Sequence, residues 1–278
     1  MKTIKLLLMR KTKLCIALLL SISTIVNAQN SINLSKGQQT HLFTNSLTNI
    51  KQNAMDQELE INSDVSVNID VEVKSTSPDF LLTHTIKRIQ LKTEGMGQAM
   101  VFDSDKKDDR ENQIGKILSV ILDKPVDLHI SSEGKAIEDK QIEASFDVVK
   151  NFVGNLNVIN AEILIAVPNK IKPGDHWVVE QNKDTSNKST FDYTVQSITN
   201  GFAIINFNGY INDKQRKVMQ GVEVKFTSSA TVSGTMTVNA LTGLIIEKKS
   251  SVSSKGETEI MGQNITFSSS SITVSSTK

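Results

Sequence analysis

The sequence predicts an α+β protein that is mainly antiparallel β: two β-meander halves forming curved sheets, with a two-helix insert between them. Three observations predict it. Val65, Val67, Ile69, Val71 and Val73 alternate with Ser66, Asn68, Asp70 and Glu72, a period of two that places the apolar residues on one sheet face. Two central stretches switch to a helical period. A short phrase also occurs twice: EGMGQAMVFDSD at 94–105 returns as EIMGQNITFSSS at 259–270.

The first stretch has the plan of a secretory leader. Five basic residues precede an apolar run from Leu14 to Val26, and Val26-Asn27-Ala28 offers small residues for cleavage near Ala28. The run is shorter than the roughly 20 apolar residues that spanning requires. Cys15, the only cysteine, lies inside this leader rather than at the cut, so the mature chain is expected without disulfide, reactive thiol or lipid anchor. Five of the 31 basic residues and none of the 30 acidic ones are in the leader, leaving a net −4. A mildly acidic chain without a basic stripe argues against nucleic acid and anionic membrane surfaces as partners.

The elements follow in order. A short strand runs from Thr40 to Asn45, and 50–61 reads as either a strand pair or a loop. The alternating strand covers 64–74, Ser77-Pro78-Asp79 turns, and a second strand covers 80–91. Its apolar phase slips between Ile86 and Ile89, which predicts a β-bulge or a strong bend at Lys87-Arg88. The run DSDKKDD at 103–109 starts like a calcium loop but lacks its glycine and closing glutamate, so it reads as a solvated turn. Asp108 and Glu111 have capping-box spacing ahead of a helix at 110–122, where Ile114, Ile117, Leu118, Ile121 and Leu122 form one stripe. A hairpin over 126–137 precedes a second helix at about 140–156, with Ile142, Phe146, Val149, Phe152, Val153 and Leu156 on one face. From Asp175 the pattern is all β: strands at 190–198, 201–211, 218–238, 242–253 and 257–267, then Ile272 and Val274. Residues 182–189 and 212–217 read as polar loops.

The expected units are a signal peptide (1–28), a first meander half (29–104), a helical insert with a short hairpin (105–160) and a second half (161–278), with 29–278 one compact mature unit. The echo has a constant offset of 165. Aligning 65–104 with 230–269 gives nine identities in forty positions, including Met96/Met261, Gly97/Gly262, Gln98/Gln263 and Phe102/Phe267. What recurs is a turn and a core anchor; the acids Asp103 and Asp105 become Ser268 and Ser270.

Catalytic chemistry is not legible. His41, His84, His129 and His176 are scattered singly, and structural or surface roles are expected for them. No G-x-S-x-G, P-loop or G-x-G-x-x-G is present. Asp175 and His176 are neighbours on a strand, so they point to opposite faces and make no dyad. No catalytic, metal or cofactor residue is assigned, and no ligand-binding residue is named. Trp177 reads as a core anchor. Met96, Met100, Met219, Met236 and Met261 are placed to pack a core or to line an apolar cavity.

The strand at 64–74, IKRIQLKTEGMGQAMVFDSD at 86–105, KPGDHW at 172–177 and TGLIIEK at 242–248 together resemble an uncharacterised family of exported Bacteroidota proteins, known as a domain of unknown function. The resemblance implies a periplasmic or secreted β-rich envelope protein and supplies no activity. Two readings follow. One is a non-catalytic envelope protein holding a lipid or other apolar ligand in a curved sheet. The other is a structural or interaction protein of the envelope with no small ligand.

Overall fold

The computed structural model describes residues 32–54, 57–77, 79–95, 97–131, 136–137, 163–182, 187–219 and 222–278. Twelve strands share one sheet. They are β1 (Gln39–Ala54), β2 (Gln57–Ser75), β3 (Phe80–Gly95), β4 (Gln98–Asp103), β5 (Pro125–Ile130), β6 (Ala136–Ile137), β7 (His176–Asn182), β8 (Lys188–Thr199), β9 (Phe202–Met219), β10 (Val222–Asn239), β11 (Ile245–Ile260) and β12 (Gln263–Thr277). The order is β6-β5-β3-β2-β1-β12-β11-β10-β9-β8-β7, with β4 also on β3. Every strand pairing is antiparallel, and the sheet stays open, with β6 and β7 at its ends. The two meanders meet at the centre, where β1 pairs with β12. The expected leader and the expected helix at 140–156 lie outside the described residues.

The strands outrun the sequence reading. Residues 50–54 and 57–61, ambiguous in pattern, pair as the upper part of β1 and β2. The polar run 212–217, expected as a loop, is the upper part of β9. Its residues stay in register with β10, Arg216 pairs with Glu223 at 3.2 Å, and Asn187 Oδ1 accepts from the Lys214 N–H at 2.6 Å. Ladder bonds and cross-strand pairs outweigh the weak strand preference of Asn, Asp and Lys. Likewise β11 runs unbroken through Ser254-Lys255-Gly256 in place of the two expected strands, 242–253 and 257–267, and the chain turns at Met261-Gly262.

The bulge at Lys87-Arg88 is present: Asn68 faces Arg88 while Ile69 faces Ile86. It re-aims two consecutive basic residues toward the acids that follow β4. Arg88 holds Asp103 in a fork (Nε–Oδ1 3.2 Å, Nη2–Oδ2 2.9 Å), and Lys87 meets Asp123 at 2.8 Å. The single helix expected at 110–122 is two short ones, α1 (Lys107–Glu111) and α2 (Gln113–Leu118). Asn112 breaks it. Its backbone is extended, and its side chain accepts from the Gly115 N–H at 2.9 Å, capping α2. The expected capping box does not form: Lys106 is the α1 cap residue, Asp108 sits inside the first turn, and Glu111 pairs with Lys107. The apolar stripe survives the break, with Leu118, Ile121 and Leu122 buried.

The repeat is visible in the backbone. β2, β3 and β4 begin at Gln57, Phe80 and Gln98, and β10, β11 and β12 begin at Val222, Ile245 and Gln263, each displaced by the offset of the echo. The same displacement separates the end of β1 at Ala54 from the end of β9 at Met219. Ala54 faces Gln57 as Met219 faces Val222, and Gly95 faces Gln98 as Ile260 faces Gln263.

Antiparallel order places the connections after β1, β3, β7, β9 and β11 at one end, here the upper, and the turns after β2, β8 and β10 at the lower. The core sits low. One cluster gathers Val65 to Val73, Leu82, Leu91, Phe102 and Leu118 with Ile32, Leu34 and Leu164. A second gathers Tyr193, Val195, Ile205, Phe207, Met236 and Val238 with Ile165 and Val167. The segment 163–167 lies across both, pinned by Ile165 N–H to Gly243 O and Ile245 N–H to Ile163 O, each 2.9 Å. Between the clusters the β1–β12 seam is zipped by hydroxyls: Thr44 donates to buried Ser275, and Ser46 bonds Thr273, both at 3.0 Å.

Candidate functional site on the inner face

Alternation and register define an inner face that carries Leu42, Val67, Ile205 and Met236, and an outer face that carries most of the charge. Three inner-face glycines each sit directly opposite a phenylalanine: Gly209 opposite Phe191, Gly234 opposite Phe207, Gly256 opposite Phe267. A Cβ on these glycines would come within 2.5 Å of Phe191 Cδ1, 2.7 Å of Phe207 Cζ and 2.6 Å of Phe267 Cζ. Each ring therefore lies flat over the neighbouring backbone instead of standing off the sheet. The result is an aromatic floor. Trp177 stacks on Tyr193 (centroids 5.2 Å), Tyr193 lies 6.2 Å from Phe207, and Phe226 stacks on Phe267 at 5.5 Å and 13°. Lys248 Nζ lies 5.1 Å from the centre of the Phe207 ring, a favourable cation–π placement.

The lower floor is packed beneath 163–167 and the helices. Its upper continuation is mixed: Ile50, Ile61, Val224, Phe226, Ile265 and Phe267 are half-buried and share the face with Ser228, Ser254, Thr258 and Ser269. Large apolar side chains left partly exposed and gathered at one end of a sheet face are a candidate contact surface. This strip is the strongest candidate site among the described residues.

Two buried polar atoms on the inner face lack partners among the described residues, His84 Nε2 and Trp177 Nε1. Burial pushes the His84 imidazole down to about 4, so it is neutral at physiological pH. One orphan belongs to each half of the sheet.

The five methionines do not converge. Met100 packs on the first cluster, Met236 is buried in the second, and Met261 is 80% exposed at a turn. Met96 lies outside the described residues, and of Met219 only the backbone is described. Trp177 packs against the second cluster, as a core anchor should. His41 and His176 are exposed outer-face partners of Asp70 (2.6 Å) and Asp192 (3.1 Å). Asp175 accepts from the Lys172 N–H at 2.7 Å and makes no dyad with His176. Three of the four acids of DSDKKDD are bonded locally: Arg88 holds Asp103 and Asp105, Asp109 accepts from the Asp103 N–H, and the Arg88 guanidinium pulls the Asp103 carboxyl down to about 2. Among the described residues no group of three or more His, Cys, Asp or Glu could hold a metal ion. A shallow cleft of about 440 Å³ opens on the outer face around Leu47, Asn49, Asp64, Lys92 and Ile272, with neither methionine nor Trp177 in its lining. The glycine–phenylalanine pairs had a sequence signal, a lone glycine inside a β-pattern, but the matching phenylalanine is on another strand.

Comparison with solved structures gives a likeness to lipovitellin, from a study of its lipid–protein interactions, with TM-score 0.50 and 10% identity over 88% of this chain and 26% of that one. The chain thus spans about a quarter of the lipovitellin chain, and at this identity the likeness is one of fold. An outer membrane channel from Pseudomonas putida F1 (TM-score 0.21, 7% identity, 89% of this chain, 97% of that one) and OpdQ of Pseudomonas aeruginosa (0.23, 6%, 87% and 99%) align too loosely to carry any argument. Among curated proteins none matches. The model of one protein family, DUF6263, matches twice, over 77–164 and 158–245. The second match is displaced from the first by about half the offset of the echo, so internal repetition is supported at two spacings. Together they cover more than half of the chain, which belongs to this family of unknown function.

Proposed function

We propose that the chain is a non-catalytic exported envelope protein that takes a lipid or other apolar ligand on the upper half of its inner face. The observation that carries the reading is the half-buried aromatic and aliphatic strip that continues the packed core upward without a described cover. Gly256 opposite Phe267 lets that ring lie flat beside Phe226, which suits an acyl chain better than a ligand needing directed polar contacts. The fold shared with lipovitellin, which was described for its lipid–protein interactions, is compatible with this reading. Organic extraction of natively purified protein followed by mass spectrometry tests it. Co-purified lipid, and a thermal shift with added fatty acid that Phe226→Asp abolishes, are expected. A clean extract together with no shift from fatty acids or phospholipids would overturn it.

The interaction reading rests on different residues. Phe202, Ile204, Tyr210 and Val178 are exposed on the outer face beside the open edge strand β7. If a protein partner is what binds, Ile204→Lys removes capture of that partner and leaves fatty-acid binding intact.

A further inference from the structure

Two hairpin turns in this sheet share one geometry and differ in chemistry. At the lower end, β8 and β9 are joined by Asn200-Gly201, with φ of 53° and 81°. At the upper end, β11 and β12 are joined by Met261-Gly262, with φ of 52° and 78°. Positive φ at both positions marks the tight two-residue hairpin that favours Asn-Gly, because asparagine tolerates the left-handed region and glycine has no Cβ. The lower turn uses that pair. Methionine has no such tolerance: in the left-handed region its Cβ crowds the following carbonyl oxygen. The other described non-glycine residues with positive φ, Asp123, Lys170 and Asn200, are all polar. Met261 is 80% exposed, so packing within the described chain does not offset the strain. The sequence repeats the choice: Met96-Gly97 is the counterpart of Met261-Gly262 in the echo, and Gly97 has φ of 73°.

Backbone strain held at an exposed apolar side chain points to something that side chain touches. The upper end is where the half-buried strip opens, with Val224, Ile260 and Ile265 close to the tips. Three described cations there face acids across the strands: Lys51 with Glu58 (3.5 Å), Arg216 with Glu223 (3.2 Å) and Lys225 with Glu259 (2.8 Å). An apolar tip beside such matched pairs fits an electrically neutral surface better than an anionic one. We propose that the hairpin-tip end docks on the surface of a neutral, zwitterionic lipid bilayer, with Met261 inserted as an anchor. The contact extends the lipid-binding reading, on which it rests, by placing the mouth of the strip against the source of its ligand.

The test uses the full mature chain with phosphatidylcholine vesicles, with and without added phosphatidylglycerol, read by co-sedimentation. Met261→Asn restores the residue this turn favours, so the fold is kept while the apolar tip is removed. The expected results are sedimentation with neutral vesicles that added anionic lipid does not strengthen, and about tenfold weaker partition for Met261→Asn, with an unchanged or higher urea midpoint. Wild-type protein left in the supernatant, binding that requires phosphatidylglycerol, or equal sedimentation of Met261→Asn would each overturn the proposal. Titration with a fluorescent fatty acid in the absence of vesicles reads the inner face alone. Fatty-acid binding without vesicle binding sinks the docking and spares the strip; vesicle binding without fatty-acid binding sinks the strip and leaves the tip.

Discussion

The lower and upper halves of the sheet are built from the same strands and the same face, yet they end in different states. Below, Ile69, Leu82, Val195 and Ile205 lie under 163–167, the helices and the stretch around Ile32 and Leu34, and lose nearly all exposure. Above, Ile50, Ile61, Phe226 and Phe267 are interspersed with Ser254, Thr258 and Ser269 on the same face, and they stay half-buried. Strand periodicity alone therefore does not say whether a face becomes core. The cover does, and the cover comes from short segments with little periodicity of their own.

The largest expected effects fall below. Leu82→Ala and Ile205→Ala each remove a fully buried side chain and should cost about 3 kcal/mol in urea unfolding, whereas Phe226→Ala above should cost about 1 kcal/mol. Similar losses at both levels would erase the distinction. His84 gives the lower half a pH signature. Its folded value, near 4, is below the unfolded value of 6.5. The folded state thus binds the proton less readily, and stability is full above pH 6.5 and declines as pH falls toward 4. The decline amounts to roughly 3 kcal/mol, and His84→Leu should flatten it. Asp103 acts lower, its stabilisation being lost as pH falls from 3.8 through about 2. Next comes Gly234→Val, midway up the sheet, which forces a branched side chain into Lys249 O and the Phe207 ring, for about 2 kcal/mol in the same assay. The smallest effect is Met261→Asn, which should raise stability by at most about 1 kcal/mol. A loss there would mean that the exposed methionine is held by contacts within the chain.

Much of this architecture was legible in the residues. The valine alternation of β2, the bulge at Lys87-Arg88 and the glycines of the two Met-Gly turns follow from local rules. What local rules missed is non-local. The one local signal overlooked is Asn112, whose cap on Gly115 splits the helix; residues 212–217 are a strand because β10 lies beside them. The upper strip was invisible for the same reason. Phe226 and Phe267 sit on β10 and β12, and only the register of the intervening β11, with Gly256, brings them together.

The pairing of β1 with β12 has a consequence in time. Thr44 and Ser275, bonded across the seam, are 231 residues apart in the chain. Synthesis proceeds in one direction, so the middle of the finished sheet is among the latest contacts that can form. Until β12 exists, the first meander presents β1 as a bare edge with unpaired amides and carbonyls, open to any other strand. Closing so long a loop is slow, and the protein spends that interval exposed to mispairing. A chain of this order is served by anything that keeps β1 from pairing until β12 is made. The hydroxyl zipper along the seam suits a late closure too, since its serines and threonines leave no greasy edge while they wait.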